Sequence, residues 1–479
     1  MKKVKLKKFV EFSESILPNE AKYLLKIQHL KDPEKKEILN LLLQNSLAEN
    51  NAKEFSISID KRKYSYIKNW AETKLAAIDV DVTMVWLIDL KKKILTDAIS
   101  SEDEKLFLKY IIHYKKIDFN FKNLYELAKE YKPYLLVRMR YKDHTTLADF
   151  INKYKDHYQK AKEIEGKLYE ATTEITNQYT LNNTETKFWE KWLYKVFKTK
   201  NIDGRNRYQA FILLAFMYTN YNQTEKLKVL FDLIDMYFSE GELYSKRLLC
   251  NYYASRVLMH SKLNELNKAE YFAYLSVKQQ NNDTLMYLNN FAAILLKRNK
   301  ITEASNLLKA HENLFNNSHN YHQKIGFISY QIRVLGETEN PKLAENKAKN
   351  FLSKYKNEIF EQRWHHFFTS YLTVLITQEK YSEILKLANK YNLVSKEIER
   401  KKKQNYIPNI SWSISLSKYM EGIINSKKLL AELKEGLKDV DITVNQQPLM
   451  IQVINKLSKN LPEAFLKLKS HILKMDLNH

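Results

Sequence analysis

Two runs decide the fold: Leu285-Met286-Tyr287-Leu288-Asn289-Asn290-Phe291-Ala292-Ala293-Ile294-Leu295-Leu296-Lys297 and, after a polar break, Ile301-Thr302-Glu303-Ala304-Ser305-Asn306-Leu307-Leu308. Leu288, Phe291, Ala292 and Leu295 recur at the three-and-four spacing that puts side chains on one face of a helix. Ala304, Leu308 and His311 occupy the corresponding positions of a second helix. The same pair of patterns reaches in both directions. Upstream, the segment from Cys250 supplies Tyr253, Val257, Ala269 and Ala273, with Ala269 standing 35 residues before Ala304. Downstream, the segment from His365 supplies Phe368, Tyr371, Leu372, Leu375, Ile384, Ala388 and Tyr391. Ala344 lies 40 residues from both Ala304 and Ile384 and marks a longer, irregular repeat between them. Tyr208 to Phe238 reads as one more helix pair.

A small residue in each second helix lets the two helices of a pair approach closely, and large apolar residues fill the gap to the next pair. On these residues the chain resembles the tetratricopeptide-repeat family over residues 205–395, less than half of its length. The resemblance implies an all-α, right-handed α-solenoid whose first helices build a concave binding face. His311 and Arg256 depart from the family, which prefers small or apolar residues there. In the implied register Asn251, Ala254, Leu258, Ser261 and Lys262 line the face, then Met286, Asn289, Ala293, Leu296 and Lys297, then His366, Thr369, Thr373 and Thr377. The residues expected to bind are Asn251, Lys262, Asn289, Lys297, His366 and Thr369. The family's carboxylate-clamp variant carries a cation and an amide at the fifth and ninth of these positions. Ala254 and Leu258, then Asn289 and Ala293, stand there instead, so the resemblance does not extend to that ligand.

Outside the array, residues 1–125 read as an N-terminal helical module and residues 126–204 as connecting hairpins. Residues 205–395 are the repeats, and residues 396–479 a helical cap that shields the last apolar face. Met84, Leu87, Ile88, Ile94, Leu95 and Ala98 follow a helical period with Asp81 placed to cap it, and Ser101 to Glu104 reads as a capping box. Phe55-Ser56-Ile57-Ser58-Ile59 alternates like a strand, without a partner. The seven prolines, Pro133 among them, are expected at helix starts and stops. Gly166, Gly204, Gly241, Gly336 and Gly436 are expected near helix ends.

Composition narrows the classes. Gly and Pro number 7 each in 479 residues, too few for sandwiches, propellers or Gly-rich phosphate loops. The lone Cys250 leaves neither an intramolecular disulfide nor a cysteine zinc cluster. The longest apolar run, Ala210 to Tyr218, is nine residues, short of a membrane span. The basic Met1 to Lys8 is followed by no apolar signal core, since Glu11, Ser13 and Glu14 interrupt. A cytoplasmic location is expected. The net charge of +23 rests on 79 basic residues, of which 11 are Arg. Lysine in such excess, with abundant Asn, Ile and Tyr, is the profile of an A/T-rich coding composition and of solvated helix faces.

The motifs of nucleotide-binding loops, serine hydrolases and metalloproteases, GxGxxG, GxxxxGK[ST], GxSxG and HExxH, do not occur. His319 and His322 read as loop histidines. His365, His366 and Glu361 form the densest histidine cluster, with His366 directed at the groove. Arg138 and His144 match a ribonuclease spacing that eleven arginines produce by chance. Asp79-Val80-Asp81 has the look of a divalent-ion pair, but a helix cap explains Asp81 more simply, and Lys91-Lys92-Lys93, Lys115-Lys116, Arg400-Lys401-Lys402-Lys403 and Lys427-Lys428 read as solvated clusters. The expectation is a non-enzymatic scaffold that receives a peptide or partner protein, with no catalytic residue, cofactor or metal. The alternative is a nucleic-acid-associated regulator, with residues 1–125 as its basic module. Oligomeric state leaves no mark in the sequence.

Overall fold

The computed structural model describes residues 6–48, 52–181, 185–338, 340–401, 406–438, 440, 446–458 and 462–473. Among them every regular element is helical and no strand occurs, as the periodicity requires. The chain forms two compact units, residues 1–259 and 260–479.

In the first unit, the helix Pro18–Ile27 packs on the helix Thr224–Ser239. Asn19 fastens the two: its Nδ2 donates to the Asp235 carbonyl at 3.2 Å and to Ser239 Oγ at 2.9 Å. Its Oδ1 accepts from Tyr253 Oη at 2.6 Å. The helix Tyr141–Leu181 runs for 41 residues, about 60 Å at 1.5 Å per residue. It packs against Ser101–His113, Phe121–Val137 and Gly204–Asn220. Between these helices Tyr114, Phe121, Tyr125, Phe150 and Tyr154 form one interlocked aromatic core, so the tyrosines of this region serve packing.

The second unit is a stack of helical hairpins. The first helices Thr284–Lys297, Tyr321–Glu337, Trp364–Thr377 and Asn409–Met420 pack in succession. The second helices Ile301–Ala310, Pro341–Lys354 and Tyr381–Lys390 each fit between their own partner and the next first helix. The small residues expected at the close approach, Ala269, Ala304, Ala344 and Ala388, are all buried.

The hairpins close with a shared turn. Asn222, Asn264, Asn299, Glu379 and Gly422 take left-handed conformations, with φ of 52–71°. The next residue's N–H returns to the carbonyl five positions back: Gln223 to Tyr218, Glu265 to His260, Lys300 to Leu295, Lys380 to Leu375 and Ile423 to Lys418, at 2.8–3.0 Å. A left-handed residue just past a helix lets the chain satisfy its last carbonyls and reverse, and Asn and Gly tolerate that conformation best. A buried carboxylate then links successive hairpins. Glu270 accepts from Lys300 at 2.6 Å, and Glu345 accepts from Lys349 at 2.7 Å and Lys380 at 2.5 Å. Lys300 and Lys380 each stand at the residue before the next second helix, so the ion pair fixes one pair against its neighbour.

Several local expectations are corrected. Asp79, not Asp81, caps the helix Val80–Leu95 by accepting from the N–H groups of Asp81 and Val82. Asp81 is instead held by Arg247 at 2.8 and 2.9 Å. The capping box begins one residue earlier than expected, at Ser100 with Asp103. Phe55–Ile59 is a turn: Phe55 and Ile59 are buried, while Ile57 between them faces solvent. Pro133 lies inside the helix Phe121–Val137, and Gly166 sits mid-helix with open space where a Cβ would project. Of the 400–403 basic cluster, Lys402 and Lys403 lie outside the described residues.

Candidate ligand-binding face

Five of the six residues expected to bind lie in the second unit. Asn251 belongs to the first, where its Oδ1 accepts from Tyr208 Oη at 3.1 Å.

The geometry centres on Gly326, in the helix Tyr321–Glu337. A Cβ there would stand 2.6 Å from Arg363 Nη1 and 2.8 Å from Asn289 Nδ2. The missing side chain therefore lets an amide from one neighbouring helix and a guanidinium from the other meet against this backbone. Asn289 is 4% exposed, and its Nδ2 donates to the Gln323 carbonyl at 3.0 Å and to Gln323 Oε1 at 3.1 Å. Its Oδ1 is buried without a protein partner.

Arg363 ends a π-helical turn, Ile359–Arg363, that leads directly into the helix Trp364–Thr377. Such turns insert a residue into the helix and are frequent at functional sites. Here the turn brings Arg363 back across Gly326, with Nη1 donating to the His322 carbonyl at 3.4 Å. His366 follows and meets the Tyr330 ring edge-on, with centroids 5.0 Å apart. His366 Nε2 and, one turn later, Thr369 Oγ1 are also buried and unpartnered. Arg333, one turn beyond Tyr330, donates from Nε to Glu337 at 3.3 Å. Lys297 reaches Ser261 Oγ at 2.8 Å.

The histidines and lysines perturbed on this face lie in a positive field. Burial and then Arg363, Arg333, His365 and His322 push His366 down to about 3. Burial and then Arg363 hold His322 below the ordinary histidine range. Lys297 is solvent-exposed, yet the protein mass around it and then Arg333 hold its ammonium below the usual lysine value. Burial lowers Lys262 likewise. His366 is therefore neutral at physiological pH. Its imidazole carbon-bound proton shifts are expected to stay flat in an NMR titration from pH 5 to 8; a midpoint near 6.5 would place it outside this environment.

Two other groups are structural. Glu20, in the first unit, beside a cleft of about 260 Å³, accepts from Tyr244 Oη at 2.6 Å and from the Leu17 N–H at 2.7 Å, with Lys246 at 3.7 Å. Both of its oxygens are engaged. Arg138 pairs with Asp97 and lies over the Tyr134 ring at 3.6 Å, which accounts for it without His144. Among the described residues no three metal-ligating side chains gather, and no helix is long and apolar enough to cross a membrane.

The structure thus places Asn289 and Lys297 on the first helix before Tyr321–Glu337 and His366 and Thr369 on the first helix after it, whereas Leu296, expected beside them, is buried in the core. It adds four residues that the sequence reading did not single out: Gly326, Tyr330, Arg333 and Arg363. These belong to, or reach onto, the first helix of the irregular repeat. Its register was marked only by Ala344, so its face was not read. No protein-family model matches this chain, nor does any curated protein or solved structure.

Proposed function

We propose that this chain is a binding module: a tetratricopeptide-like, right-handed solenoid that receives a peptide or a partner's extended segment on its first-helix face. The observation that carries the reading is a set of three buried, unpartnered polar atoms: Asn289 Oδ1, whose side chain meets Gly326, and His366 Nε2 and Thr369 Oγ1 on the helix Trp364–Thr377. A buried polar atom without a hydrogen bond costs about 1–3 kcal/mol, so such atoms cluster where a ligand supplies the missing partner. Three helices contribute to the site, and an extended peptide crossing them has the donors and acceptors to answer each atom.

Selection from a phage-displayed library of random dodecapeptides tests this. Wild-type protein is expected to enrich a sequence family, and Asn289→Ala is expected to lose that enrichment. Gly326→Ala separates binding from folding. Alanine is favoured over glycine in a helix by about 1 kcal/mol, while forcing the buried Asn289 aside costs about 1–3 kcal/mol, so the protein should stay folded with a melting temperature unchanged or a few degrees lower. Its methyl group would displace Asn289 and Arg363, so peptide capture should fall with Asn289→Ala. Enrichment that survives both variants would remove the site from this face.

A further inference from the structure

The charge distribution of this face narrows the chemistry of its ligand. The groups whose protons are perturbed on this face feel cations. Arg363 acts on His322, Arg333 on Lys297, and both arginines on Tyr330 and His366. The carboxylate in contact with Arg333, Glu337, is shared with Lys456 from another helix, so it offsets only part of the arginine charge. Like charges gathered in partly desolvated surroundings repel, and an incoming anion relieves that repulsion.

The donor set also discriminates between anions. A guanidinium offers a planar fork matched to carboxylate and phosphate oxygens alike. Asn289 Oδ1, however, is a buried acceptor, and its complement must donate a hydrogen. A peptide carries an N–H at nearly every residue beside its acidic side chains. The phosphodiester groups of a nucleic acid carry none, so its donors are confined to base edges and, in RNA, the ribose 2′-hydroxyl.

We propose that this face takes an acidic peptide, whose carboxylates lie against Arg333, Arg363 and Lys297 while a backbone N–H donates to Asn289 Oδ1. The inference rests on the peptide-binding reading, and the test separates the two.

The same dodecapeptide library is selected against wild type and against Arg333→Glu. Wild type is expected to enrich Asp and Glu, and Arg333→Glu to lose that bias or shift towards Lys and Arg. For the best wild-type peptide, Arg333→Ala is expected to weaken binding about tenfold, the equivalent of about 1.4 kcal/mol. The Arg333→Lys variant should recover part of that loss, which mere misfolding would not allow. Enriched peptides with no acidic bias, bound equally by Arg333→Glu, would overturn the acidic assignment and leave the peptide reading standing. No enrichment at all would overturn both. A single-stranded oligonucleotide that displaces the peptide, with affinity falling steeply with salt, would overturn the assignment in favour of nucleic acid.

Discussion

Replacing Trp412 by alanine is expected to lower the stability of the second unit by about 3–5 kcal/mol, as truncation of a buried large aromatic does. Trp412 is fully buried on the helix Asn409–Met420, within the core that holds Leu416, Leu429 and Leu433. Its indole Nε1 donates to the Leu433 carbonyl at 3.0 Å, which ties its helix to the helix Ser426–Glu435. Gly436 stands where a Cβ would come within 3.1 Å of the same nitrogen, so the ring fits closely against that backbone. Alanine therefore removes packing area, opens a cavity and leaves the Leu433 carbonyl without this donor. Trp412→Phe keeps most of the ring and loses the N–H, so a smaller loss of about 1–3 kcal/mol is expected. Urea unfolding followed by circular dichroism measures both, with Val85→Ala as a control. Val85 is 66% exposed, and its truncation should stay within about 0.5 kcal/mol. A Trp412→Ala loss below about 1 kcal/mol would mean that the indole is not packed as described.

The readable part of this fold is the part that depends on period. Ala269, Ala304, Ala344 and Ala388 were visible because a close helix crossing admits only small side chains, and all four are buried. Choices between adjacent candidates were less legible. Asp79 and Asp81 both stand at the start of the helix Val80–Leu95, where a carboxylate suits the unpaired N–H groups. The selection of Asp79 is settled by Arg247, which lies 166 residues from Asp81 and draws that carboxylate away. The shared hairpin turn had a signal in Asn222, Asn264 and Asn299, each just before a second helix. Glu379 breaks the pattern: it takes the same left-handed conformation, at φ of 57°, without being Asn or Gly.

The candidate face was half legible for a related reason. Asn289, Lys297, His366 and Thr369 follow from a register, and a register was available wherever the repeat was regular. Arg363 reaches the face because a π-helical turn shifts it relative to the helix that follows. Gly326 matters because two side chains from different hairpins converge on it. Periodicity reports which face a residue occupies on its own helix, and neither feature is of that kind.

The first unit carries a different dependence, on pH. Asp203 caps the helix Gly204–Asn220 and is 3% exposed. Its Oδ1 accepts from the Asn206 N–H at 3.2 Å and its Oδ2 from the Lys122 N–H at 3.0 Å. Burial is the largest influence on it. Despite those two donors, and with Asp118 nearby opposing its charge, the carboxyl is pushed up from 3.8 to about 6. Because the folded value lies above the unfolded one, the native state binds the extra proton between about pH 4 and 6. The stability contributed by this group is therefore present below pH 4 and is lost as pH rises through 6. A shift of about two units corresponds to about 3 kcal/mol. Asp203→Asn removes the ionisation and keeps a carbonyl oxygen for one of the donors. Whatever offset the amide introduces at low pH, the stability of the variant relative to wild type is expected to rise by about 3 kcal/mol between pH 4 and 7. Denaturant midpoints taken at half-unit pH steps on the two proteins isolate this group, since every other carboxylate is common to both. A flat difference across that range would show that Asp203 ionises as freely in the native protein as in the unfolded chain, and that its burial under the Phe121–Val137 helix is offset in full by the N–H groups it accepts from.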